Sequence, residues 1–222
     1  ISLMNAANLI LLGENLDNPK AAEEGYRRLD QIVLYTWHAG IHEYGSPTYY
    51  GVDLDDLVVL EQFCQRETGR QTARALLELF WTDLAANWFA PAQKLTGARS
   101  RDYDYLRGLG YLDTALWASG WLADEKMQGS AGAILHLLSD WRPAAELKQQ
   151  NETQYPRLVR QSWGEAQFES RTHYVMRNVT LGSAGANYGN MDLPLSVDFA
   201  GPRQSVRCYF LPDGRHDPYG KL

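Results

Sequence analysis

Residues 73–91, ARALLELFWTDLAANWFAP, and residues 168–179, FESRTHYVMRNV, are written in two different periods. In the first, Ala73, Leu76, Leu77, Phe80, Leu84 and Trp88 recur at the three- and four-residue spacing of a helix buried along one face, and Pro91 closes the run. In the second, aromatic and β-branched residues crowd a short stretch, the texture of a strand. Helical spacing extends toward the N-terminus from the first stretch. Asn18-Pro19 reads as an N-cap with a first-turn proline, and Leu29, Ile32, Val33, Thr36 and Trp37 then recur until Gly40 stops the helix. Asp53 is expected to cap the next helix, with Leu54, Leu57, Val58 and Cys64 on its buried side and Thr68-Gly69 at its end. Weaker helical stretches fall near residues 103–121 and 131–141. Beyond Pro156, residues 193–199 and 205–211 alternate as short strands between turns.

Helices first and strands afterwards indicate an α+β chain rather than an alternating βαβ sheet. We expect antiparallel helical hairpins of an incomplete (α/α) toroid over residues 1–150, a linker over 151–167, and the beginning of an antiparallel β-sheet or sandwich over 168–222. A partial helical array and a thin sheet leave faces unburied, so part of the fold is expected to lie outside this chain or in an oligomeric partner. The chain begins at Ile1 rather than Met, and both ends are expected to be cut.

Composition narrows the function. The 222 residues are 45% hydrophobic and 22% charged, enough to bury a core without staples. A net charge of −6, a pI near 5.4 and the lack of a Lys/Arg-rich run argue against a nucleic-acid partner. No apolar stretch reaches the length of about 20 residues that spans a bilayer, so no membrane partner is expected. Cys64 and Cys208 form no framework and read as core residues.

Three segments concentrate chemistry. Residues 37–53, WHAGIHEYGSPTYYGVD, place His38, His42, Glu43 and three tyrosines in a loop between helices, although a structured turn would use the same Gly/Pro punctuation. Residues 97–105, GARSRDYDY, place Arg99 and Arg101 beside Tyr103; arginine grips carboxylates bidentately, so this is the local basic site of an acidic protein, with an Asp-capped helix start as the plainer alternative. Around residues 171–189 a strand sets His173 and Tyr174 on opposite faces, and the stretch from Thr180 to Gly189 reads as a Gly-rich loop containing Asn187 and Tyr188. That loop matches no phosphate-binding pattern, and no GxSxG elbow is present. His38 and His42 stand four apart, but Gly40 lies between them and no third ligand is assured, so neither a metal nor another cofactor is expected. His136 reads as a satisfied core histidine.

The segments HEYGSPTYY at 42–50 and RSRDY at 99–103, in a helical array followed by a β-layer, resemble (α/α)-toroid polysaccharide lyases of the heparinase II/III-like or alginate-lyase-like kind. The resemblance implies cleavage of an acidic, uronate-containing polysaccharide by β-elimination in a secreted or periplasmic protein. It implies His42 or Tyr50 as base, Tyr103 or Tyr188 as acid, and Arg99, Arg101 and Asn187 on the sugar carboxylate. Trp37 or Tyr49 would be the sugar platform, and His173 would also contribute to substrate binding. Two alternatives stand beside it. A glycoside hydrolase on the same scaffold would pair Glu43 with Asp53 or Asp102, and a noncatalytic protein would use the same side chains only to hold a glycan.

Overall fold

The structure is a computed structural model, and it describes residues 2–103, 108–128, 132–185, 192–201 and 205–210. Helices α1 (Ser2–Asn15) and α2 (Pro19–Ala39) form a hairpin, joined where the Asn18 side chain accepts a hydrogen bond from the Ala21 amide. Gly40 ends α2 at φ 91°, a left-handed conformation that a β-carbon would strain. Helix α3 (Pro47–Phe63) begins at Ser46-Pro47, not at Asp53. The Ser46 hydroxyl accepts from the Tyr49 amide, and Pro47 supplies the pre-set first turn, so Asp53 lies inside the helix. Nor does Thr68-Gly69 end it: both lie within α4 (Glu67–Asn87).

The stripe Ala73, Leu76, Leu77, Phe80 and Leu84 is buried along α4 as its spacing demands. Trp88, by contrast, lies just past the helix in a two-stranded ribbon of β1 (Trp88–Phe89) and β2 (Lys94–Leu95). With Ile10, Leu29, Leu54, Leu57 and Trp81, these residues make one apolar core. Trp121 packs on it, its ring edge-on to Trp81 at 5.4 Å. Three shorter helices complete the body: α5 (Leu112–Ala118), α6 (Gly132–Leu138) and α7 (Ala145–Thr153). The buried His136 is satisfied by Asp55, at 2.8 Å.

A five-stranded antiparallel meander follows, in the order β3 (Arg157–Ser162), β4 (Ser170–Val175), β5 (Val179–Ala184), β6 (Leu195–Phe199), β7 (Val206–Phe210). Two strands occupy stretches read differently above. β3 lies inside the expected linker, and β5 takes the first half of the expected Gly-rich loop. Gly182 earns its place in β5 through close approach, because a β-carbon there would sit 2.3 Å from the Gly97 Cα. The sheet's inner face carries Arg171, His173, Thr180, Ser196 and Asp198, all buried. Its outer face exposes Leu158, Tyr174, Leu181, Phe199, Val206 and Phe210. Cys64 is buried as expected, whereas Cys208 is exposed on β7, where it pairs with the outward-facing Val197 of β6.

Candidate active site

A cleft of about 740 Å³ opens beside α1 to α4, and His42, Glu43, Asp53 and Arg101 all line it. Its floor is apolar, with Leu3, Ile32, Leu76 and Phe80, and Tyr35 stands on the α2 side. The termination of α2 at Gly40 and the start of α3 at Ser46 fix the loop that carries His42 and Glu43.

His42 is held from the sheet side. Its Nδ1 lies 3.1 Å from the Trp163 carbonyl oxygen and 3.2 Å from the Tyr35 hydroxyl. A carbonyl only accepts, so Nδ1 carries the hydrogen and Nε2 bears the lone pair of the neutral ring. Trp163 is itself fixed by stacking on Tyr44 at 4.9 Å.

Arg101 is held through both its backbone and its side chain. Its backbone is left-handed, φ 44°, a conformation that costs a non-glycine residue about 1–3 kcal/mol and persists only where neighbours impose it. Two neighbours do so: the Arg101 amide donates to Asp192 Oδ1 at 3.1 Å, and its carbonyl accepts from the Ser46 hydroxyl at 3.1 Å. The guanidinium lies 4.4 Å above the Tyr49 ring centre. It donates through Nη2 to the Tyr49 hydroxyl at 2.6 Å and to the Tyr103 hydroxyl at 3.2 Å, while Nη1 pairs with Glu43 at 3.3 Å.

The two tyrosines are thereby driven apart. Burial and the hydrogen bond to Tyr103 push the Tyr49 hydroxyl above the ordinary tyrosine value. Burial also pushes on Tyr103, but hydrogen bonds from Arg101 and Tyr49 and the Arg101 charge outweigh it and hold that hydroxyl below the ordinary value. The two cleft carboxylates differ as well. Glu43 is paired with Arg101, whereas enclosure in the cleft wall, aided by the nearby Glu43 and Asp56 charges, pushes the Asp53 carboxyl up to about 7.

The remaining expected site residues lie elsewhere. Tyr50 is fully buried and donates to Asp83 at 2.8 Å; burial, with the Asp83 charge beside it, pushes its hydroxyl well above the ordinary tyrosine value, so it is placed as a core hydroxyl and not as a base. Arg99 is fully buried with Asp102 at 2.5 Å, which removes both from the surface a substrate would touch. Trp37 is 85% exposed and does not line the cleft, and the ring of Tyr49 is covered by Arg101, so neither is placed as a sugar platform. His173 is buried under the sheet between Thr96 and Asn87. Asn187 and Tyr188 lie outside the described residues. Sequence reasoning missed Tyr35, Ser46, Trp163 and Asp192. Only Ser46 carried a local signal, the Ser-Pro pair that repeats the Asn18-Pro19 helix start.

Among the described residues, no group of three His, Cys, Asp or Glu could hold a metal ion, and no helix is long and apolar enough to cross a membrane. No curated protein and no solved structure matches the chain. A family model described as a domain of unknown function, DUF8769, matches residues 1–144, and the chain belongs to that family.

Proposed function

We propose that the cleft cleaves an acidic, uronate-containing polysaccharide by β-elimination. The observation that carries this reading is the arrangement around Arg101. A partly exposed guanidinium, locked in a left-handed turn, stands beside a tyrosine whose hydroxyl it makes more acidic, and shares a cleft with a histidine whose tautomer is fixed.

In this reaction the uronate C5 proton passes to His42 Nε2. The C5–H electron pair forms the C4–C5 double bond, the C4–O bond breaks, and the Tyr103 hydroxyl gives its proton to the departing oxygen. Solvent then returns a proton to Tyr103 and takes one from His42. Arg101 faces the sugar carboxylate, on which negative charge builds as the C5 proton leaves, and this electrostatic contribution is expected to be the largest. A Tyr103 hydroxyl held below its ordinary value is a better proton donor to an alkoxide leaving group.

A hydrolase is the second reading, favoured by one observation: Glu43 and Asp53 line the same cleft, Glu43 paired with Arg101 and Asp53 with its carboxyl pushed up to about 7, the value of a carboxyl poised as a general acid. On the elimination reading, His42→Ala and Tyr103→Phe lower kcat on a uronate polymer on the order of 100-fold or more, and Arg101→Ala lowers kcat/KM by a similar factor. Glu43→Gln separates the readings, because it all but abolishes a hydrolase and only weakens a lyase by loosening Arg101. Full activity in the His42, Tyr103 and Arg101 variants would remove the proposed site.

A further inference from the structure

Resting on the reading of this cleft as the active site, we propose that Asp192 is a positioning residue. From the connection between β5 and β6, its carboxylate holds the Arg101 backbone left-handed, so that the guanidinium lies over Tyr49 and against the Tyr103 hydroxyl. Asp192 itself is buried, 4% exposed, and touches the site through the Arg101 amide.

The surrounding geometry separates this role from that of a fold-stitching residue. The two segments are already joined one step earlier in the chain, where Arg99 and Leu193 exchange backbone hydrogen bonds of 3.0 and 2.7 Å. Asp192 acts beyond that bridge, on the amide at which φ turns positive. Ser46 holds the other side of the same residue, so Arg101 is clamped from the α3 cap and from the sheet at once. If either clamp is lost, Arg101 relaxes toward the ordinary right-handed or extended backbone, and its Cα–Cβ bond swings away from Tyr49. The sheet would thus govern the site without presenting a residue to the substrate.

The test reads Tyr103 directly. Among the described residues Arg101, Tyr49 and Glu43 stand around it, and the Arg101 guanidinium, which also lies over Tyr49, lowers its titration together with the hydrogen bond from Tyr49. Tyrosinate absorbance is titrated in the whole chain, with Tyr103→Phe identifying its contribution. Asp192→Ala is expected to move that contribution upward toward the ordinary tyrosine value and to lower kcat on the order of 10- to 100-fold. Asp192→Asn, which keeps an acceptor oxygen, restores both. An unmoved Tyr103 in folded Asp192→Ala, or an Asn variant as impaired as the Ala one, overturns the proposal. Should Asp192→Ala not fold, Ser46→Gly, which keeps a tolerated helix cap and removes the second clamp, must give the same upward shift, and its absence is equally fatal. Because the titration requires no substrate, a chain that cleaves nothing yet shows these shifts defeats the elimination reading and leaves this one standing. An active chain whose Tyr103 ignores position 192 does the reverse.

Discussion

The interior of the helical body is filled by Ile10, Leu29, Leu54, Leu57, Leu77, Trp81 and Leu84, whereas the seam between that body and the sheet is filled by charge. Across the seam, Asp83 of α4 accepts from Arg171 of β4 at 2.7 and 2.8 Å and from Gln161 of β3, and from its own side of the seam it accepts from Tyr50 of α3. His173 reaches Asn87 and Thr96, and Asp198 of β6 pairs with Lys94 and Arg207, each at 2.8 Å. An apolar core tolerates sliding, because dispersion has no preferred direction. A buried ionic network fits in one orientation only, and breaking it exposes the full desolvation penalty. The difference bears on the proposed function because the candidate cleft borders the seam: the Trp163 carbonyl of the sheet side holds His42, and Asp192 holds Arg101.

The seam is most vulnerable at Asp83. Asp83→Ala leaves the buried Arg171 charge uncompensated and is expected to cost about 3–5 kcal/mol in denaturant unfolding. Leu77→Ala, in the apolar core, is expected to cost about 2–5 kcal/mol through the cavity it opens. The sharper contrast lies in the site. Asp83→Ala loosens His42 and Arg101 and so depresses activity in the fraction that remains folded, while Leu77→Ala lowers stability with kcat nearly unchanged. Equal kcat in the two variants would mean that the seam does not position the cleft.

The seam also makes stability depend on pH. Burial, reinforced by the Arg171 and Arg157 charges, pushes the His173 pKa down to about 3. The unfolded chain takes up this proton near the ordinary histidine value of about 6.5, while the folded chain does not. The unfolded state therefore binds more protons across that window, and stability falls as pH drops from about 6.5 to about 3, at about 1.4 kcal/mol per pH unit from this group. His173→Gln should remove that share of the slope in pH-dependent unfolding. An unchanged slope would show that the seam histidine is not kept neutral. The smallest effect belongs to Trp37, 85% exposed on α2. Trp37→Ala should change stability by no more than about 0.5 kcal/mol and leave KM for the polysaccharide unchanged, whereas a raised KM would restore the sugar-platform role.

The same contrast explains what was legible in the sequence. The α4 stripe, the Asn18-Pro19 start and the Gly40 stop were readable because burial in an apolar core and helix capping leave periodic or local marks. β3 was not, because its inward positions carry Arg157 and Gln161, which look like loop residues until their partners on α4 are known. The clustering of His42, Glu43, Arg101 and Tyr103 was legible as composition. Which of Arg99 and Arg101 serves the site was not: the two are alike in sequence, and only the left-handed turn at Arg101, imposed by the distant Asp192 and Ser46, leaves one buried on Asp102 and the other 28% exposed beside Tyr103.

The most direct test of the account is the ultraviolet absorbance of products released from a panel of uronate-containing polysaccharides. Elimination at this cleft predicts a rising absorbance from C4–C5 unsaturated uronate, abolished together by His42→Ala and Arg101→Ala. New reducing ends without that absorbance, lost in Glu43→Gln, would contradict it in favour of hydrolysis, and binding without any product would contradict it in favour of a noncatalytic glycan-binding protein.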